Sequence, residues 1–141
     1  ENERFSKVVS FGSVGGFPEY FKVWTRSGLL YEYGNSSDSK LKPTGSPGVL
    51  QWHVNRVSDS SENYMTVQYL NNATIGEILP SRIDYTGNLT AGVSPYASIR
   101  FQYETRPDKV QTFLFNFLFF PVIYSAHIIK SKFIYLFFGQ K

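Results

Sequence analysis

The chain has 141 residues, with 14 Lys+Arg against 11 Asp+Glu for a formal net charge of +3, no Cys, and 18% aromatic residues. That length fits one domain. The missing thiols exclude a disulfide framework and a Cys-ligated zinc site, and the aromatic load excludes a disordered chain or a coiled coil.

In chain order, the residues read as short β-strands separated by turn punctuation. Ser6–Phe11 is a short apolar run ended by Gly12, and Gly15, Gly16 and Pro18 mark a loop. Tyr20–Arg26 and Leu29–Tyr33 are rich in aromatic and β-branched residues and are expected to form a hairpin over a two-residue Ser27-Gly28 turn. Gly34–Gly48 is crowded with Asn, Ser, Asp, Gly and Pro and is expected to be a solvated loop in which nothing packs. Leu50–Ser58 alternates, with Leu50, Trp52 and Val54 on one face and Gln51, His53 and Asn55 on the other. Asp59–Asn63 is a polar turn, and Tyr64–Leu70 returns with Met65, Val67 and Tyr69 on one face before Asn71-Asn72 closes the hairpin. Glu77–Tyr85 is a strand in which Pro80 calls for an edge or a bulge, and Thr86-Gly87-Asn88 turns the chain. Ala97–Glu104 alternates Ile99, Phe101 and Tyr103 against Ser98, Arg100, Gln102 and Glu104. Seven or so short antiparallel strands with one polar face predict an all-β sheet that is wet on one side.

The charge divides the chain at Lys109. Residues 1–109 hold eleven basic and eleven acidic residues, while 110–141 holds Lys130, Lys132 and Lys141, no acid, and eight of the thirteen Phe. A neutral body offers no basic stripe for nucleic acid. Val110–Ile129 runs twenty residues without a charge, enough to span a bilayer, but Asn116, Pro121, Ser125 and His127 interrupt it. Three readings stand for 110–141: a membrane-associating segment, a pair of buried strands, or a tail foreign to the fold after a change of reading frame. The last is favoured, because the turn punctuation stops at Asp108. No charged segment followed by an apolar one opens these residues, so no signal peptide is expected in them.

The search for chemistry yields no site. His53 is expected to face solvent from a strand, and His127 lies in the apolar tail without a partner. Asp59 with Glu62, and Glu104 with Asp108, read as solvated charges rather than as a paired acid and base. A calcium loop beginning at Asp59 fails, because Tyr64 stands where Gly is needed and Leu70 where the closing Glu is needed. Gly12–Gly16 lacks the Gly-Lys-Ser/Thr ending of a phosphate loop, and no Gly-x-Ser-x-Gly elbow occurs. No catalytic, cofactor-binding or metal-ligating residue is assigned, and no enzyme activity is expected. Trp24 and Trp52, with the Tyr residues, offer an alternative reading as a sugar- or surface-binding platform. Asparagine acceptor patterns begin at Asn35, Asn72 and Asn88.

Four stretches nonetheless belong together. Phe21-Lys22-Val23-Trp24-Thr25-Arg26-Ser27-Gly28 leads into Tyr31-Glu32-Tyr33-Gly34, and Trp52-His53-Val54-Asn55-Arg56-Val57-Ser58-Asp59 follows. Ile83-Asp84-Tyr85-Thr86-Gly87-Asn88 comes next, then Ile99-Arg100-Phe101-Gln102-Tyr103-Glu104-Thr105-Arg106-Pro107-Asp108. In order and rough spacing, these resemble the N-terminal module of the Salmonella virulence plasmid protein B family. That module also opens the B components of bacterial insecticidal toxin complexes, relatives of the Rhs/YD-repeat shell proteins. The resemblance covers about residues 6–109 and leaves 110–141 unmatched. The family often carries Asp-x-x-Gly-Asn where this chain has Asp59-Ser60-Ser61-Glu62-Asn63, so the hairpin is expected and its turn type is open.

The resemblance implies a non-enzymatic segment of a secreted scaffold, part of a hollow β-shell that encloses and delivers a separate toxic domain. Implied partners are the rest of the B/C shell and the pore-forming A component. It also implies structural roles for Trp24, Gly28, Tyr33, Gly34, Trp52, Arg56, Asp59, Tyr85, Gly87, Asn88, Phe101, Tyr103, Glu104, Arg106 and Asp108. It carries no catalytic residue onto these positions. A segment cut from such a shell leaves strand edges unpaired, so the isolated chain is expected to fold poorly and aggregate.

Overall fold

The computed structural model describes residues 6–104 and, beyond them, the backbone of 110–112, 122–124 and 128–129. The protein is all-β. Its strands are β1 (Ser6–Phe11), β2 (Tyr20–Thr25), β3 (Leu30–Tyr33), β4 (Lys40–Leu41), β5 (Gln51–Trp52), β6 (Val54–Ser58) and β7 (Asn63–Asn72). They continue with β8 (Glu77–Asn88), β9 (Ala97–Arg100), β10 (Tyr103–Glu104), β11 (Val110–Thr112), β12 (Val122–Tyr124) and β13 (Ile128–Ile129). Seven of them form one antiparallel sheet in the order β1-β2-β3-β6-β7-β8-β9. The pairs β4–β5, β10–β13 and β11–β12 stand as separate two-stranded ribbons. Of 110–141, only the three short strands are described, so the three readings of that segment lie largely outside the described residues. Among the described residues no helix is long and apolar enough to cross a membrane.

The hairpin turns follow one plan. Between β2 and β3, Thr25 N donates to Leu29 O at 2.9 Å and Gly28 N to Thr25 O at 3.1 Å, with Gly28 at φ +82°. The loop is therefore Arg26–Gly28, one residue longer than the Ser27-Gly28 turn expected from sequence, because its last residue is left-handed and closes a bulge. Between β6 and β7, Asp59 N donates to Asn63 O at 3.0 Å and Glu62 N to Asp59 O at 3.2 Å. Here the left-handed residue is Glu62, at φ +62°.

Several strand expectations are corrected by bulges and changes of partner. Leu50–Ser58 is not one alternating strand. It breaks at His53, Leu50 is exposed, and the register against β3 shifts so that Tyr33 faces Val54 and Glu32 faces Arg56. Asn71-Asn72 and Thr86–Asn88 do not turn the chain but extend β7 and β8, which stay paired through Asn63↔Asn88. Pro80 sits inside β8, a strand flanked on both sides, and is accommodated by a register shift opposite Gln68 and Tyr69. The run Ala97–Glu104 divides at Phe101-Gln102, because β9 pairs with β8 whereas β10 pairs with β13.

The largest correction is at Gly34–Gly48. Nothing was expected to pack there, yet Ser39 and Leu41 are the most buried side chains, at 0% and 1% exposure. The polar residues make that burial affordable by satisfying backbone groups. Asp38 Oδ2 accepts from Tyr69 N at 2.8 Å, and Asn71 Nδ2 donates to Lys40 O at 2.6 Å. His53 N donates to Ser39 O at 2.8 Å and Leu50 N to Leu41 O at 2.9 Å. Leu41, its carbonyl paired, and Val49 join Val57 and Val67 as the buried hydrophobic residues among those described.

Candidate functional site

Register places the two faces of the sheet. Val8, Val23, Tyr31, Val57 and Met65 are successive cross-strand partners from β1 to β7, and Val67, Ile83 and Ile99 continue from β7 to β9. The adjacent row runs Val9, Lys22, Glu32, Arg56, Thr66, Asp84 and Ser98 through all seven strands. Neighbouring residues on a strand point to opposite sides, so one face is apolar and the other is laced with charge.

The charged face closes on itself. Lys22 Nζ lies 3.7 Å from Glu32 Oε1, and Asn35 Nδ2 donates to Glu32 Oε2 at 2.5 Å. Arg82 Nη2 lies 2.7 Å from Asp84 Oδ1, and Gln68 Nε2 donates to Asp84 Oδ2 at 3.4 Å. Arg56 has a buried Nε without a hydrogen bond, and its guanidinium rests 4.4 Å from the ring centre of Tyr64. Glu32 and Asp84 are thereby buried although they lie on the polar row.

The residues marked by the family pattern gather at two places. The first is the corner joining the β6–β7 turn to the end of β8. Asp59 Oδ1 accepts from Ser61 N at 2.8 Å and Asn63 N at 3.0 Å, and Asp59 Oδ2 accepts from Asn63 Nδ2 at 2.9 Å. The Asn63 side-chain amide, helped by these backbone N–H groups, holds the Asp59 carboxyl below its ordinary value. Asn88 Nδ2 donates to Ser61 O at 3.0 Å and Asn63 Oδ1 at 2.8 Å, while Asn88 Oδ1 accepts from Ala91 N at 2.7 Å. Gly87 faces Tyr64 across the strands, and a side chain there would collide with that ring. Beside the corner, a depression of about 340 Å³ is lined by Leu29, Val57, Asp59, Tyr64, Met65 and Thr86. The polar groups of this corner are committed to fixing a turn. The arrangement staples three strands and presents no convergent donors to a substrate.

The second gathering surrounds Trp52. Its Nε1 donates to Pro18 O and Glu19 O, both at 3.2 Å, and its ring meets Phe21 edge-on at 5.1 Å. Gly34 lies so close to the indole that any side chain would strike it. Tyr33 pairs with Phe21 and stacks on Tyr31 at 6.3 Å. Trp52 therefore pins the loop that follows β3 onto the apolar face. Trp24 occupies the opposite face from Phe21, at 36% exposure, with Lys7 Nζ 5.5 Å from its ring. The two tryptophans do not share a platform.

The other marked residues are dispersed. Tyr85 pairs with Ala97, and Phe101 N donates to Ser81 O at 3.0 Å. The Tyr103 hydroxyl donates to Pro80 O at 2.5 Å, and burial pushes its pKa up. Glu104 is exposed in β10. Arg106 and Asp108 lie outside the described residues.

Sequence reasoning missed two side chains that the structure makes prominent. His53 is half-buried and not simply solvent-facing. It lies 5.3 Å from the Tyr69 ring, with Nε2 3.1 Å from Gln51 Oε1, and burial lowers its pKa. The Tyr69 hydroxyl donates to Val54 O at 2.7 Å, and burial, then Asp38, raises its pKa to about 12. Only the aromatic at the end of an alternating run hinted at this. Among the described residues, no group of three His, Cys, Asp or Glu is placed to hold a metal ion. A second depression, of about 460 Å³, is lined by Glu19, Lys40, Lys42 and Val49, with Lys40 Nζ 3.7 Å from Glu19 Oε1.

No protein-family model matches the chain, and no curated protein matches it in sequence.

Proposed function

We propose that this chain is a non-enzymatic scaffold segment of a secreted bacterial toxin-complex or virulence protein. In that reading it forms one wall piece of a larger β-shell that encloses and delivers a toxic domain. Its partners are the rest of that shell and the pore-forming component that receives it. The observation that carries the reading is the asymmetry of the sheet: the charged face is closed by its own side chains, while the apolar row reaches both edges. Val8 on β1 is 61% exposed and Ile99 on β9 is 49% exposed. Free-standing domains rarely leave an apolar row open in this way, whereas a wall piece meets its neighbours there. Asp59, Asn88 and Trp52, three of the family-pattern residues, tie strands and loops together here, which suits a scaffold.

The test is a module exchange. Residues 6–104 replace the corresponding module of an insecticidal toxin complex B component, which is then purified with its C component. The expected result is a closed shell whose enclosed toxic domain resists added protease. A chimera that leaves that domain cleavable, with the exchanged segment itself folded, would overturn the reading.

A further inference from the structure

We infer that the outer edge of β1 is a self-association edge, on which a second copy of this chain adds its own β1 antiparallel about a two-fold axis through Val8. Four observations carry this. First, β1 runs six residues against β2 in unbroken register, from Ser6↔Thr25 to Phe11↔Tyr20, without Pro or bulge. Among the described residues, nothing pairs with its other side. An edge of this kind is a ready template for another strand.

Second, the single charge on β1 does not guard the edge. A lysine on an edge strand ordinarily deters pairing, but Lys7 lies back over the Trp24 ring of β2, at 5.5 Å. Third, the edge is complementary to itself. Antiparallel pairing about Val8 sets Val8 against Val8, Lys7 against Val9 and Ser6 against Ser10, so no like charges meet. The parity of this register keeps each face on its own side, so the apolar row of one copy continues into the other through a valine that is 61% exposed in the single chain.

Fourth, the opposite edge is closed to the same reaction. The strand β9 is only four residues long and ends at exposed Arg100, which faces Arg82 across the strand pair. With one such long edge in the seven-stranded sheet among the described residues, association through it stops at two copies. This gives a closed isologous dimer and not an open-ended fibre. A six-residue strand pair buries little surface, so the dimer is expected to be weak and concentration-dependent.

The test is the mass of the full chain in solution over a concentration series, by light scattering or sedimentation. The wild-type chain is expected to move from monomer to dimer as concentration rises. Val8→Glu and Val8→Lys each place like charges face to face at the axis, and each is expected to weaken self-association at least about ten-fold. Because Val8 is exposed, both variants keep the fold, as circular dichroism checks. Mixing the two variants restores a dimer of one Glu and one Lys chain, which only Val8↔Val8 apposition explains. Ile99→Lys, on the other edge, leaves the association unchanged. A wild-type chain that stays monomeric, charge variants that keep the wild-type mass, or an equimolar mixture that stays monomeric would each overturn the inference. Within a shell a neighbouring wall piece takes this edge in place of the second copy, so self-association is a property of the chain on its own, and the module exchange and the mass measurement fail separately.

Discussion

Replacing Glu62 by glycine is expected to stabilise the protein. Glu62 holds φ at +62°, where an L side chain crowds the following carbonyl at a cost of about 1–2 kcal/mol. Its contribution to the turn comes from its backbone: the N–H donates to Asp59 O at 3.2 Å, and the carbonyl accepts from Leu89 N at 3.1 Å. Both bonds survive loss of the side chain. Glycine returns roughly 0.5–1 kcal/mol through the greater freedom of the unfolded chain. At the middle of both ranges the net gain is about 0.75 kcal/mol, or a rise in Tm of about 3–6 °C for a body of this size. The mirror experiment is Gly28→Ala. No atom lies within 4 Å of the new methyl, so only the φ of +82° opposes it, and a loss of about 1 kcal/mol is expected. Thr86, at φ +78°, is the control. Its hydroxyl bonds to Tyr85 O and accepts from Tyr96 N at 3.1 Å, so Thr86→Gly removes two bonds with the strain and is expected to bring no gain. Urea unfolding followed by tryptophan fluorescence reads all three as midpoint shifts at constant slope. If Glu62→Gly leaves the midpoint unchanged or lowers it while Gly28→Ala destabilises, the left-handed position is not what limits this turn, and the reasoning is wrong.

Trp52→Ala removes the edge contact to Phe21, the bonds to Pro18 and Glu19 and the packing on Gly34, and should lose about 3 kcal/mol. Trp24→Ala, on the charged face of β2 and 36% exposed, should lose under about 1 kcal/mol in the same unfolding assay. Tyr69→Phe forfeits the bond to Val54 O, about 1 kcal/mol. Because the folded chain favours the neutral phenol, Tyr69 contributes stability below its ordinary pKa of 10, which is lost as pH rises through about 12. An alkaline unfolding series should show a larger loss in the native chain than in Tyr69→Phe, which keeps the raised Tyr103. His53 has the opposite dependence. Its pKa is depressed, so its contribution is present above 6.5 and lost as pH falls through the folded value. His53→Gln should flatten the stability profile below about pH 6.5.

The all-β class and most of the seven-stranded meander are legible in the residues, because alternation and turn residues act locally. What is not legible depends on which partner a strand finds. Phe101-Gln102 sits inside an unbroken alternation, and nothing in it signals that the chain leaves β8 there for β13. Pro80 signals a bulge but not that β8 runs on through Asn88. The burial of Leu41 and Val49 is hidden by composition. Leu41 stands between two lysines and Val49 follows a run of Gly, Ser and Pro, and the segment is tied to β7 by Asp38, which accepts from Tyr69 N, and by Asn71 of β7, which donates to Asp38 O and Lys40 O. The candidate corner is half legible: Asp59, Gly87 and Asn88 are marked, and the one sign that Glu62 takes the left-handed position is the Gly that the resembling pattern carries there, while the residue itself gives none.

The distribution of burial follows from side-chain length. On the charged face, the stems of Lys22, Arg56 and Arg82 are long enough to lie over Glu32 and Asp84, and they roof the strands while their heads stay near acceptors or a ring. The valines and isoleucines of the apolar face are short and cannot roof one another. Among the described residues that face is closed at the centre of the sheet, where Val57 and Val67 are buried, and where Trp52 lies against Phe21. Toward β1 and β9 exposure rises to 61% at Val8 and 49% at Ile99. The short side chains thus define where added chain contributes most. A strand beside β1 covers Val8, whereas added chain over the charged face would first have to displace cations already paired with Glu32 and Asp84.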